Sequence, residues 1–104
     1  MIRVSVLYPN TANTTFDHGY YKTRHFPLLK TRLTPLGLRD TGIEKGLAGG
    51  APGSAAPYHA ICFLLFDSLG QFQQAFGAHG QELMADIPNY TNVQPVIQIS
   101  EVVE

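Results

Sequence analysis

The run from Tyr58 to Phe66, YHAICFLLF, carries no formal charge and is largely apolar on both faces of an extended chain. Tyr58, Ala60, Cys62, Leu64 and Phe66 alternate with His59, Ile61, Phe63 and Leu65. The run is short for a helix and rich in strand-forming residues, so it reads as a strand covered on both sides. In a chain of 104 residues that is a strong constraint. One hydrophobic core is the expectation at this length, and everything else must be arranged to cover this strand.

The remaining elements follow in order. Ile2, Val4, Val6 and Tyr8 alternate with Arg3, Ser5 and Leu7 in a first strand. A turn follows from Pro9 to Thr15. The stretch FDHGYYKTRHFPLL, Phe16 to Leu29, then starts a helix that runs from about His18 to near Thr34, where Pro35 and Gly37 stop it. Asp17 is its cap, and Phe16 and Tyr21 have the spacing of a hydrophobic staple. Pro27 lies inside the helix and predicts a kink just after His25.

Residues 38 to 47 read as a bent strand despite Gly42 and Gly46. Residues 48 to 57, AGGAPGSAAP, hold three glycines, two prolines and no charge, which predicts a mobile connection or a lid. After the central strand, Ser68 caps a second helix with Leu69, Phe72, Phe76, Leu83 and Ile87 on one stripe. Gly77 and Gly80 mark close packing or a break in it. Val93 to Val103 is a last strand, with Pro95 confining its start to an edge or bulge.

Strand, helix, strand, strand, helix, strand predicts an α+β fold: a ferredoxin-like sandwich with a four-stranded antiparallel sheet and both helices on one face. Two helices cover only one side of the central strand. An uncovered apolar sheet face is uncommon on a soluble monomer, so a homodimer pairing through that face is expected.

Composition excludes several functions. A net charge of -1 leaves no basic stripe for nucleic acid or anionic lipid. No run approaches the roughly 20 apolar residues of a membrane span. The N-terminus lacks a signal-peptide pattern, and Cys62, alone in the chain, forms no internal disulfide. Cytoplasmic residence is the expectation. No Gly-rich nucleotide motif is present, and His59 and His79 lack metal-ligand spacing, so neither a bound cofactor nor a metal is expected.

The chemical question lies at His25, which falls between Tyr21, Leu28 and Leu29 on the inward side of the first helix. A buried neutral imidazole needs a hydrogen-bond partner, water or a ligand. Its functional reading is a general acid or base, and its plain reading is a core histidine bonded to a carbonyl or a tyrosine hydroxyl. Tyr21, one turn earlier, would orient that ring or meet a substrate oxygen; Tyr20 lies toward the edge of the face. Arg24 and Arg32 would hold an acidic substrate or pair with surface carboxylates.

The pattern F-D-x-x-Y-Y-x-x-x-H-x-P-L, standing as Phe16, Asp17, Tyr20, Tyr21, His25, Pro27 and Leu28, resembles the EthD family, named for ethyl tert-butyl ether degradation. The segments EKGLAGGAPGS, Glu44 to Ser54, and MADIPNYTNVQPVIQISEVV, Met84 to Val103, are also similar to bacterial members. The resemblance implies a dimeric α/β barrel, with a ligand site between sheet and helices inside each protomer. It also implies a role in degradation pathways, often beside oxygenase genes, and it carries Tyr20, Tyr21 and His25 onto the motif. Relatives of this barrel type include cofactor-free monooxygenases, cyclases, dehydratases and haem-degrading enzymes. Three expectations follow from sequence and resemblance together. The first is an enzyme acting on a small apolar or aromatic carbonyl or phenolic ligand through His25 and Tyr21, with Tyr20 and Arg24 binding substrate. The second is a non-catalytic accessory protein with the same pocket, and the third is haem binding with His25 as axial ligand.

Overall fold

Alternation of apolar residues produces four strands, and two helical stretches lie across one face of their sheet. The structure, a computed structural model, describes all residues, 1–104. The strands are β1 (Ile2–Pro9), β2 (Asp40–Lys45), β3 (Tyr58–Phe66) and β4 (Val96–Glu101). They lie in the order β2-β3-β1-β4, and every neighbouring pair is antiparallel. The α+β, ferredoxin-like architecture expected from the sequence is the one observed.

The first helix is not one regular helix. It opens as a single turn α1 (His18–Tyr20), widens into a π turn (Tyr21–His25) and resumes as α2 (Phe26–Leu33), ending in a 3-10 turn (Thr34–Leu36). Asp17 caps it as expected, its Oδ1 accepting from the Tyr20 amide at 3.0 Å. Phe16 meets Tyr21 at 5.0 Å between ring centroids, closing the staple. Pro27 has no N–H to donate inside the helix. The chain absorbs this by changing register just before it, with the Phe26 amide donating to the Tyr21 carbonyl. A π turn therefore stands where a kink after His25 was expected. Gly37, at φ 107°, ends the segment in the left-handed conformation that glycine adopts without steric cost.

The second helix, α3 (Leu69–Asp86), runs unbroken through Gly77 and Gly80. Ser68 caps it by accepting from the Gln71 amide at 3.2 Å. Gly80 marks close packing: a methyl there would come within 2.6 Å of the Phe76 ring. Gly77 faces open space. A 3-10 turn, Ile87–Asn89, follows directly.

Val4, Tyr8, Cys62, Leu64 and Phe66 on the sheet meet Leu29, Leu33, Phe72 and Leu83 from the helices in one core. Burial of β3 is unequal. Its helix side is sealed, whereas Ile61, Phe63 and Leu65 on the other side are only half-buried within one chain. The expected cover on both sides is thus present on one. On the helix-free face Phe63 lies over Gly42, its register partner, where a methyl would approach the ring within 2.6 Å. This contact explains a glycine in mid-strand: the aromatic ring supplies the packing that glycine lacks.

The starts of two strands also moved. β4 begins at Val96 rather than Val93, because the Val93 amide donates to Thr91 Oγ1 and Pro95 has no amide to give. Leu38 belongs to the end of the first helix, its amide donating to the Leu33 carbonyl, so β2 starts at Asp40. The glycine-rich connection closes on itself through Gly49 N–H to the Ser54 carbonyl at 3.0 Å and Ser54 Oγ to the Ala51 carbonyl at 2.7 Å.

Candidate functional site

The π turn decides where His25 points. Its wider winding carries both Tyr21 and His25 inward, and both are buried. Their rings are nearly parallel, with centroids 5.6 Å apart and an interplanar angle of 15°. A wide turn of this kind is a recurrent feature of functional sites.

Facing them is the end of α3. Asp86, its last residue, accepts from His25 Nδ1 at 2.9 Å through Oδ2. Its other oxygen, Oδ1, accepts from the Tyr20 hydroxyl at 2.7 Å and from Asn89 Nδ2 at 2.9 Å. A carboxylate can only accept, so Nδ1 carries the proton and the neutral ring keeps its lone pair on Nε2. Asp86, through Nδ1, is the side chain that hydrogen-bonds to the ring.

The electrostatics pull in two directions. Burial lowers the His25 pKa below the ordinary histidine value, and the hydrogen bond and charge of Asp86 offset this only in part. The ring is therefore neutral at neutral pH, with Nε2 unprotonated. At Asp86 burial works to raise the pKa, but hydrogen bonds from Asn89, Tyr20 and His25 outweigh it and hold the carboxyl below its usual value.

Tyrosines complete the surroundings. Tyr90 packs against His25 at 4.7 Å, and its hydroxyl pairs with that of Tyr8 at 2.7 Å. Burial pushes the Tyr8 hydroxyl up to about 12, so it stays protonated. The segment that carries Asp86 and Tyr90 is pinned to the start of the first helix. The Asp17 amide donates to the Tyr90 carbonyl at 2.7 Å, and Thr91 Oγ1 donates to the Thr15 carbonyl at 2.6 Å.

His25 lines a cavity of about 40 Å³ with Tyr8, Tyr21, Cys62, Phe76 and Ile97. That volume suits one or two waters. It has no room for a haem plane beside His25. On the other side of Tyr21 a groove of about 300 Å³ opens between the first helix and β2, at the lower end of the range of about 300–1,000 Å³ for ligand pockets. Tyr21 is the shared wall.

Three of the four residues singled out from sequence come together. Tyr20 and His25 share Asp86, and Tyr21 stacks on His25. Arg24, on the same π turn, is exposed and forms no ion pair, while Arg32 pairs with Glu82 at 2.9 Å on the surface. Cys62 is buried, with its thiol pushed up to about 11 by burial, as a small core residue would be. No group of three or more His, Cys, Asp and Glu side chains converges in the chain as a metal ligand set.

Asp86 itself escaped the sequence reading, although a signal was present. A carboxylate in the last turn of a helix opposes the helix dipole, so an aspartate there calls for compensating donors. Its three partners supply them.

The fold recurs in solved structures. An EthD-like protein from Ralstonia eutropha JMP134 is 46% identical, with a TM-score of 0.91, and the match covers 99% of this chain and 92% of that one. An ethyl tert-butyl ether degradation (EthD) family protein from Bacillus halodurans C-125 is 22% identical over 99% of each chain, with a TM-score of 0.68. HapK from Hahella chejuensis shares the fold at 10% identity and a TM-score of 0.55, over 100% of this chain and 95% of its own. No curated protein matches the chain. No helix is long and apolar enough to cross a membrane. The sequence matches the EthD domain over residues 10–94, the span from the end of β1 to just before β4 that holds Tyr20, Tyr21, His25 and Asp86. By that match and the shared fold, of the dimeric α/β barrel type, the chain belongs to the EthD family.

Proposed function

We propose that the protein is a small homodimeric, cytoplasmic catabolic enzyme that moves a proton on an apolar or aromatic carbonyl or phenolic compound. The observation that carries this reading is the His25–Asp86 pair, which leaves an unprotonated, unpartnered Nε2 in an apolar setting. Nε2 would take a proton from a phenolic hydroxyl or from carbon next to a carbonyl, and negative charge would form on the substrate oxygen. The imidazolium so formed is held by the Asp86 carboxylate, which stays ionised. Asp86 is a positioning residue, with Tyr20 and Asn89 behind it, and Tyr21 is the ring that orients the bound compound. The resulting enolate or phenolate is the common starting point for cofactor-free oxidation, dehydration or cyclisation.

The dimer rests on the helix-free face. Leu7, Ile61, Phe63 and Leu65 are half-buried there, and Val96 is 53% exposed at the edge. Arg3 lies 4.4 Å over the Phe63 ring at its rim. A second copy would cover this patch through a two-fold axis. A monomer mass unchanged with concentration would sink the dimer.

One observation favours a second reading. The cavity beside His25 is small, about 40 Å³, as suits an accessory protein of an oxygenase that binds ligand without catalysis. Histidine NMR separates the two. The acid–base reading expects the Nδ1–H tautomer, a pKa below the ordinary value, and in Asp86→Asn a further fall in pKa with a switch toward Nε2–H. It also expects turnover of a phenol or aryl ketone to drop by about 10²- to 10⁴-fold in His25→Ala. Turnover unchanged in His25→Ala, or an Nε2–H ring in the unmodified protein, would overturn it.

A further inference from the structure

The groove outside Tyr21 differs in charge from the cavity inside it. Its lining runs from His18 and Lys22 on the first helix to Ile43 and Lys45 on β2, with Tyr21 and Ala60 as the apolar floor. Lys22 and Lys45 form no ion pair anywhere in the chain, whose salt bridges are His25–Asp86, Arg32–Glu82 and Arg39–Asp67. Glu44 also borders the groove, but strand alternation sends its side chain to the helix-free face with its register partner Ile61. Two unpaired ammonium groups therefore flank an apolar trough with no carboxylate inside it.

We propose that this groove binds the carboxylate of a small aromatic or apolar acid, with Lys22 and Lys45 on the anion and Tyr21, Ile43 and Ala60 against its body.

The surroundings of His18 agree. Burial, then Lys45 and His59, lower its pKa, and Asp17 opposes them weakly. The ring is thus neutral at neutral pH and has one N–H to offer an anion. His59 is held nearby as the extra residue of a β-bulge, where the register jumps between Tyr8 with Ala60 and Pro9 with Tyr58. Its ring stacks on Phe16 at 5.7 Å, and its Nε2 lies 2.9 Å from Thr14 Oγ1. The groove holds its cations apart on rigid elements rather than on a loop.

This inference goes beyond the proton-transfer reading and does not depend on it, because it concerns binding alone. The test is an NMR titration of the full chain with benzoate, run beside benzyl alcohol as the uncharged counterpart. Benzoate is expected to give saturable shifts at Lys22, Ile43, Lys45 and Ala60 and to raise the pKa of His18, whose other charged neighbours are Lys22, Lys45, His59, Asp17 and Glu44. Benzyl alcohol, and benzoate with Lys22→Met/Lys45→Met, are expected to bind about five- to tenfold more weakly. Equal binding of the two compounds, an unaffected double variant, or no saturable shift at these residues would overturn the proposal. The titration reads binding at the groove and not proton transfer, so a failure here leaves the His25 reading standing, and a failure of that reading leaves this one standing.

Discussion

The first helix and α3 cover the same sheet, yet they handle irregular sequence in opposite ways. The first helix changes hydrogen-bond register in its middle, at Tyr21–His25. Its companion α3 keeps a single register for 18 residues in spite of two interior glycines. The difference is one of cause. Pro27 lacks a donor whatever surrounds it, so the first helix must adjust locally. A glycine only lowers helix propensity, and packing can outweigh that. The Phe76 ring lying against Gly80 turns the missing side chain into a contact. Irregularity then appears where His25 must be aimed, and regularity appears where Asp86 must be delivered at a fixed distance.

The largest test of this contrast concerns anchoring. Leu33, wholly buried at the end of the first helix, should cost about 2–5 kcal/mol as Leu33→Ala, read by urea unfolding. A loss under about 1 kcal/mol would mean that the first helix is not held by its α2 end. Next is Gly80→Ala, whose methyl would meet the Phe76 ring at 2.6 Å, with an expected cost of about 1–3 kcal/mol. No loss there would show that the ring moves freely and that packing does not explain Gly80.

A shallower effect is expected from pH. The His25 pKa is lowered in the folded state, so the unfolded chain takes up that proton first as pH falls through about 6.5. The His25 contribution is therefore full above that pH, declines as pH drops toward the folded value, and is constant below it. Asp86, also lowered, adds a contribution that is present above the usual carboxylate range and is lost as pH falls through its folded pKa. The first decline should be absent from the stability curve of His25→Gln; an unchanged slope between pH 7 and the folded value in that variant would assign it elsewhere. Smallest is Gly77→Ala, in open space on α3, expected to stabilise by about 0.5–1 kcal/mol. A loss there would mean that glycine serves a contact in the assembled protein.

Much of the fold was legible because its signals are local. Asp17 and Ser68 cap the helices predicted for them, and the staple between Phe16 and Tyr21 closes. The central strand, Tyr58–Phe66, has the predicted bounds. The site was legible in half. Tyr20, Tyr21 and His25 sit on one short motif, but Asp86 lies 61 residues from His25. Nothing in local propensity pairs them. The groove with Lys22 and Lys45 was equally hidden, because its two cations come from a helix and a strand that only folding brings side by side.

By itself, then, the sequence determined the order of elements and their caps, since each depends on neighbours within a few residues. The tertiary structure alone decided which carboxylate meets the imidazole, which face of the sheet stays open and which lysines remain unpaired. Those outcomes depend on contacts between distant segments, and burial and charge act through space rather than along the chain.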